Sequence, residues 1–387
     1  MSDSVRYVAK TFQGLEGVLA EELRALGAEE VEEGCRMVSF SGDKRMMYRA
    51  NFFLRTALRI LKPLYSFEAQ SADELYGQAL SYDWSSVMAV GQRFSVDSVV
   101  NSDTFSHSRF AALRVKDAIV DQFRNREGRR PFVDVQHPDV RVHLHILGTQ
   151  CTLLLDSSGE SLHLRGYRRA QDVAPLNEVL AAGMLMLAGW QGETPFYDPL
   201  CGSGTLPIEA ALIAKGLAPG LFRKRFGFES WIDFDKELLE EMYNDDSLER
   251  DCTVPIMGAD VSAKSVSIAL ENVRSAGLSK LVHIEKASVF DVAPPVDPGV
   301  VVTNPPYGER LKQAQLDSFY TRLGDAFKAM YTGWDVWMIT GNRVAMKSFG
   351  LHPSKTVTLF NGPIECKFQC FTMYAGSLKN REGGVEE

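Results

Sequence analysis

Asp198-Pro-Leu-Cys-Gly-Ser-Gly-Thr205 joins a short strand, Thr194 to Asp198, to a helix, Thr205 to Ala214, that tolerates Pro207 in its first turn. An acid at a strand end, a glycine-rich loop and a helix start are the parts of a ligand site in a doubly wound α/β fold. Gly202 and Gly204 let backbone come close to a ligand, and the helix N-terminus adds partial positive charge. The three-glycine dinucleotide pattern and the Walker lysine are both missing, so neither a pyrophosphate nor a triphosphate is the natural ligand. Asp198 would repel phosphate and suits a cation. Cys201, Ser203 and Thr205 complete the expected cofactor loop.

Strand and helix alternate outward from this loop. Pro255 to Asp260 reads as the next strand, and Ser262 can cap a helix carrying Val266, Ala269, Leu270 and Val273, closed by Gly277. Val282 to Lys286, Gly299 to Thr303 and Asp335 to Thr340 read as three further strands. Thr356 to Phe360, then Asn361-Gly-Pro, then Cys366 to Tyr374 reads as an antiparallel hairpin. A parallel α/β sheet with an antiparallel end follows. Asp260, at a strand end, can accept both hydroxyls of a ribose. Asp291 can accept from an adenine amino group.

Val300-Val-Val-Thr303 is a buried-strand pattern that runs into Asn304-Pro-Pro-Tyr307. Pro305 and Pro306 fix φ and remove two N–H donors, which leaves carbonyls for a cleft. The Asn304 oxygen and the Pro305 carbonyl can accept both hydrogens of one planar amino group, and Tyr307 offers a face for a base. These four residues are the candidate catalytic element, with Asn304 also at the cofactor.

The preceding half is α+β. Leu15, Val18, Leu19, Leu23 and Leu26 put an apolar stripe on a helix ended by Gly27, Arg36 to Ser41 alternates as a strand, and Met46 to Leu61 reads as a second helix. Phe94 to Val100 alternates, Phe110 to Phe123 is an amphipathic helix, and Val140 to Leu147 and Cys151 to Asp156 read as paired strands. The chain has 387 residues, 45% hydrophobic and 24% charged, which excludes disorder, collagen and a coiled coil. A net charge of −8 removes any whole-chain basic footprint, so a nucleic-acid site must be local. From Thr104 to Arg130 seven basic residues face three acids, and Arg109, Arg114, Lys116, Arg129 and Arg130 are candidate phosphate contacts. A solvated helix face is the rival reading of that run. Arg223-Lys-Arg offers a second phosphate contact. No apolar run reaches the ~18 residues of a membrane span. Six scattered cysteines make no disulfide framework, and the expected setting is the cytoplasm.

With these motifs in place the sequence resembles S-adenosylmethionine-dependent amino-group methyltransferases. Gly14-Leu-Glu-Gly-Val-Leu-Ala-Glu-Glu-Leu, Arg109 to Asp121, Arg129-Arg-Pro and Pro138-Asp-Val-Arg look like a ferredoxin-like segment and a THUMP RNA-binding domain. Leu155 to Arg168, Ala174-Pro-Leu-Asn-Glu and Asn304-Pro-Pro-Tyr-Gly-Glu-Arg resemble the bacterial 23S rRNA guanine-N2 methyltransferases of the RlmL kind. The resemblance implies a ferredoxin-like segment over 1–62, a THUMP domain over 63–160, a class I, seven-stranded methyltransferase domain over 161–376 and a flexible tail over 377–387. It implies S-adenosylmethionine without a metal, RNA as partner, rRNA before tRNA, no membrane and no obligate protein partner. The enterobacterial form carries a second methyltransferase after the first; this sequence ends after one. The alternatives are a tRNA guanosine-N2 methyltransferase and an RNA-binding assembly factor on a methyltransferase fold. A retired fold usually loses its cofactor glycines or its Asn-Pro-Pro-Tyr, and this chain keeps both.

Overall fold

Strict alternation builds the first sheet. Val140, Val142, Leu144 and Ile146 are buried, and the residues between them are half-buried. The computed structural model describes residues 4–170, 175–294, 296–307 and 313–375, so the expected tail over 377–387 lies outside the described residues. Strands β1 (Val5–Lys10), β2 (Glu29–Gly34), β3 (Met37–Gly42), β4 (Arg59–Glu68), β5 (Arg93–Asn101), β6 (Phe132–Val133), β7 (Val140–Leu147) and β8 (Gln150–Asp156) form one sheet. Their order is β2-β3-β1-β4-β8-β7-β5-β6. Helices α1 (Glu16–Ala25), α2 (Lys44–Phe53), α3 (Ala72–Ser81) and α4 (Ser108–Glu127) are the long helices over the same stretch.

The helix expected over Met46 to Leu61 is shorter. It ends at Phe53, and Arg59 to Leu61 already belong to β4. Two tertiary ties override the helical pattern. Glu22 takes the Arg55 and Thr56 N–H groups at 2.8 and 2.9 Å, and β4 pairs antiparallel with β8 from Leu61 to Glu68. The boundary expected between residues 62 and 63 therefore falls inside a hydrogen-bonded strand. At the end of β8 the buried Asp156 accepts from Ser158 and Gly159 N–H and faces Arg59 and His143. Burial alone would raise this carboxyl, but those partners hold it below its ordinary range.

The second sheet follows the α/β rhythm. Helix α5 (Glu178–Leu187), capped by the Asn177 side chain, precedes β9 (Phe196–Asp198) and α6 (Thr205–Ala214). Helix α7 (Lys236–Asn244) then intervenes before β10 (Ile256–Asp260), α8 (Ala263–Ser275), β11 (Val282–Lys286), β12 (Val300–Thr303), α9 (Gln313–Met330), β13 (Asp335–Thr340), β14 (Lys355–Asn361) and β15 (Ile364–Thr372). Ser262 caps α8 through the Ser265 N–H at 3.2 Å, and Gly277 at φ +68° ends it, as the sequence predicts. The strand order is β11-β10-β9-β12-β13-β15-β14; the first five are parallel, and β15 runs antiparallel to both its neighbours, β13 and β14. The order in which strands are added reverses between β9 and β12, the switch point where such sheets bind ligands. Leu316, Tyr320, Leu323 and Phe327, one face of α9, pack with Val336 and Met338 of β13 in the core beneath it.

Two compact units result. The first holds the described residues up to Thr11, with Leu19–Leu162 and Arg223–Asp245; the second holds Phe12–Val18, His163–Phe222 and the described residues from Asp246 onward. Residues 223–245 sit inside the expected C-terminal domain in sequence but fold with the first unit. Aromatic contacts explain this: Phe228 stacks on Tyr48 at 4.1 Å, and Tyr243 meets Phe52 edge-on at 5.0 Å. Among the described residues no helix is long and apolar enough to cross a membrane.

Candidate active site

The site is built on the ends of β9, β10 and β12. Asp198 ends β9 and is 1% exposed. Its Oδ1 accepts the Leu200 N–H at 3.1 Å and the Thr303 hydroxyl at 2.7 Å. Burial pushes the carboxyl up to about 7, with the charge of Asp260 adding to the rise and the two hydrogen bonds opposing it. Asp260 ends β10 and holds the loop from the other side: Oδ2 accepts the Gly202 N–H at 3.1 Å and Oδ1 the Ser262 N–H at 2.8 Å. Cys201 adds a backbone bond to Ala259 at 2.9 Å.

The two loop glycines do different things. Gly202 has φ +54° and nothing within 4 Å of where a Cβ would stand, so a ligand can lie against its backbone. Gly204, at φ +83°, has its Cβ position 3.1 Å from the Cβ of Ala269 on α8. Its requirement is close helix packing, and it does not line the cavity. Asp291 departs from expectation as well. It is exposed on the turn after β11, bonded through its N–H to Ser288, and does not line the cavity.

That cavity, of about 510 Å³, brings together Asp198, Cys201, Gly202, Ser203, Thr205, Asp260 and the whole Asn304-Pro-Pro-Tyr307 element. Burial, with Asp198 and Asp260 alongside, pushes the Cys201 thiol well above its ordinary range, so it lines the wall as a neutral group. Asn304 follows β12 directly, and its Oδ1 is buried with no hydrogen-bond partner among the described residues. A cavity wall with an open glycine backbone, two strand-end acids and an unpaired amide oxygen fits a cationic nucleoside cofactor beside an amine.

Sequence reasoning missed several residues here. Arg168 donates to Ser203 Oγ at 3.0 Å, Thr205 Oγ1 at 2.9 Å and Glu178 Oε1 at 2.8 Å, bracing the loop from outside. Asn272 adds a bond to the Ser203 carbonyl at 3.1 Å. Asn361 and Ile364, at the β14–β15 turn, line the cavity although they lie over fifty residues past Asn304. Asn361 Nδ2 donates to Tyr307 Oη at 2.6 Å. Their only sequence signal was the hairpin itself.

In the first unit, the candidate phosphate contacts separate. Helix α4 has 20 residues and so spans about 30 Å, with exposed Arg109 in its first turn and exposed Arg129 and Arg130 beyond its end. These three make no ion pair among the described residues. Arg114 pairs with Asp73 at 2.8 Å and lies over Tyr76, and Lys116 pairs with Asp117. Arg223 is not a phosphate contact. It is 7% exposed, donates to the carbonyls of Ser158, Glu160 and Ser161, and lies over Phe226, so its guanidinium is committed within the fold.

Three family models match the chain: "RMKL-like, methyltransferase domain" over residues 165–369, "THUMP domain" over 69–156 and "RlmL ferredoxin-like domain" over 6–61. A Synechocystis protein, slr0064, provisionally described as an RNA methyltransferase, is 38% identical over 371 residues, covering 95% of this chain and 97% of its own length. Ribosomal RNA large subunit methyltransferase K/L of Syntrophotalea carbinolica is 40% identical over 384 residues, 96% of this chain and 54% of that protein. The chain thus spans about half the length of the K/L relatives. Among solved structures, SMU.472, a provisionally described methyltransferase complexed with SAH, superposes with a TM-score of 0.85 at 30% identity, covering 97% of this chain and 100% of that one. A Listeria monocytogenes protein described as a predicted N6-adenine-specific DNA methylase gives 0.84 at 32% identity, covering 97% of each.

Proposed function

This chain belongs to the RMKL-like methyltransferase-domain family, and on that premise we infer that it methylates the exocyclic N2 amine of a guanosine in 23S rRNA. The observation that carries the reading is Asn304 Oδ1, a buried acceptor without a partner among the described residues, in the wall shared with the glycine loop. Leaving such a group unpaired costs about 1–3 kcal/mol, so a substrate donor is the natural complement.

S-adenosylmethionine, when bound, supplies an electrophilic methyl on a positive sulfonium. The chain's own groups do the rest. Asp198 offers negative charge to the cationic end, Asp260 accepts from the ribose hydroxyls, and the Gly202 backbone lies alongside. A guanine amine is a poor nucleophile because its lone pair is delocalised into the ring. Asn304 Oδ1 and the Pro305 carbonyl each take one N–H, turn the lone pair toward the methyl and stabilise the charge that develops on nitrogen. Pro306 keeps the turn rigid, and Tyr307 presents a surface to a base that has left its stack. In the first unit, Arg109, Arg129 and Arg130 hold RNA phosphates, whereas Arg114 and Lys116 are already engaged in ion pairs.

The test is mass-spectrometric mapping of modified nucleosides in rRNA and tRNA from cells with and without the gene, with transfer of tritiated methyl to protein-free large-subunit RNA. Loss of one N2-methylguanosine from 23S rRNA is the expected result. Loss of a tRNA or adenosine modification instead overturns the assignment.

A further inference from the structure

The hydrogen bond that holds Tyr307 has a direction. Asn361 Nδ2 donates to Tyr307 Oη at 2.6 Å. The phenol oxygen is the acceptor in that bond, so the Asn361 carboxamide is set with its nitrogen toward Tyr307. Beside it the Cys366 thiol donates to the Ile364 carbonyl, with Sγ 3.6 Å from the oxygen, which ties the hairpin turn together. The Asn361 oxygen, Oδ1, is turned away and makes no hydrogen bond among the described residues, on a residue that lines the cavity.

Gly341 makes room for this arrangement. A Cβ there would stand 2.6 Å from Ile364 Cγ2 and 3.3 Å from the Tyr307 ring. The tyrosine, the hairpin turn and the free amide oxygen therefore form one built wall beside Asn304 and Pro305.

Asn304 and Pro305 supply two acceptors for an amine, and both adenine and guanine carry one. The purines differ at the ring nitrogen next to that amine. Guanine N1 bears a hydrogen, whereas adenine N1 is a bare acceptor. We propose that Asn361 is the specificity-determining residue: its Oδ1 accepts the N1–H of guanine while Asn304 and Pro305 hold the amine, and the same oxygen repels the lone pair of an unprotonated N1. Selection then resides in the terminal hairpin, and the Asn-Pro-Pro-Tyr element serves any amine. This rests on the reading that a base amine is the methyl acceptor.

The test uses 2-aminopurine, which keeps the 2-amine and lacks the N1–H. The methylated position is first mapped with the parent protein on protein-free large-subunit RNA. Synthetic fragments then carry guanosine or 2-aminopurine at that position, and kcat/KM is measured for each with tritiated cofactor. The parent should prefer guanosine by about 10²-fold or more, because a site built to bond an N–H rejects the analogue without it. Asn361→Ala should lose most of its rate on guanosine and little on 2-aminopurine, bringing the ratio near one. Tyr307→Phe keeps Asn361 but removes the acceptor that orients it, and the ratio should fall to an intermediate value. Calorimetric cofactor affinity at the parental level confirms that each variant is folded, and Tyr307→Phe decides the matter if Asn361→Ala is not. Guanosine methylation with an unchanged ratio in the folded variants overturns the role of Asn361. Absence of guanosine methylation by the parent overturns the reading beneath it, and methylation of an adenosine overturns both.

Discussion

Thr303 donates its hydroxyl hydrogen to Asp198 Oδ1 at 2.7 Å, tying the strand that leads into Asn304 to the strand that ends at the cofactor loop. Neither partner is exposed by more than 1%. The residue just before Asn304 therefore opposes the rise that burial imposes on the Asp198 carboxyl.

Cofactor affinity should depend on pH through Asp198. Burial raises its carboxyl to about 7, and a cationic ligand favours the ionised form. Binding should strengthen from pH 6 to pH 8, with proton release near 7, in calorimetry across buffers of different ionisation enthalpy. Thr303→Val removes a bond that lowers the carboxyl, so the same curve should move to higher pH. For stability the sign is opposite. The folded chain binds this proton between about 4 and 7 when the unfolded chain has released it, so this group's contribution declines as pH rises through that window. A flat affinity between pH 6 and 8 would exclude Asp198 from the cationic end.

Asn304→Ala should reduce single-turnover methylation by about 10²–10³, the scale for losing one preorganised polar group. Cofactor affinity should change little, since the bond proposed for this residue is to the amine. Parental rates in this variant would remove the mechanism.

Asp260→Ala removes the expected ribose acceptor and also strands the Gly202 and Ser262 N–H groups. Cofactor binding should weaken tenfold or more, each lost charge-assisted bond being worth about 1.5–3 kcal/mol. Asp291→Ala, on the exposed turn, should move affinity much less. Equal losses in the two variants would restore Asp291 to the site.

RNA binding should separate the basic residues of the first unit. Arg129→Ala with Arg130→Ala should weaken binding and lower the log–log salt slope by about 0.7–0.9 for each lost phosphate contact. Arg114→Ala should cost mainly stability, because its guanidinium already serves Asp73 and Tyr76. Filter binding across a salt series, with thermal melting of each variant, distinguishes the two. An unchanged slope would return the run to a solvated helix face.

The parts legible in the sequence were those written in adjacent residues. Asp198 to Thr205 and Val300 to Tyr307 each carry a strand, its end and its turn in one stretch, so their chemistry and their place in the fold arrive together. Asn361 was hidden because Asn-Gly-Pro is an ordinary turn until β15 pairs beside β13 and returns it to the end of β12. Helix periodicity overran Phe53 because it cannot register the β4–β8 ladder. The basic run showed the opposite failure. Neighbours in sequence were set at opposite ends of a rigid helix, and Arg223 was spent on three carbonyls that composition does not reveal.

The interleaving of the units bears on how the chain is made. Residues 223–245 are the last part of the first unit to be synthesised, yet all of His163–Phe222 emerges before them. At 5–20 residues per second, the wait from Leu162 to Asp245 is roughly 4–17 s. During it Tyr48 and Phe52 lack the aromatic cover that Phe228 and Tyr243 later provide. The nascent sheet must therefore survive with an open apolar flank until the ribosome delivers its covering segment, and slow translation between these points would prolong its exposure to aggregation and chaperones.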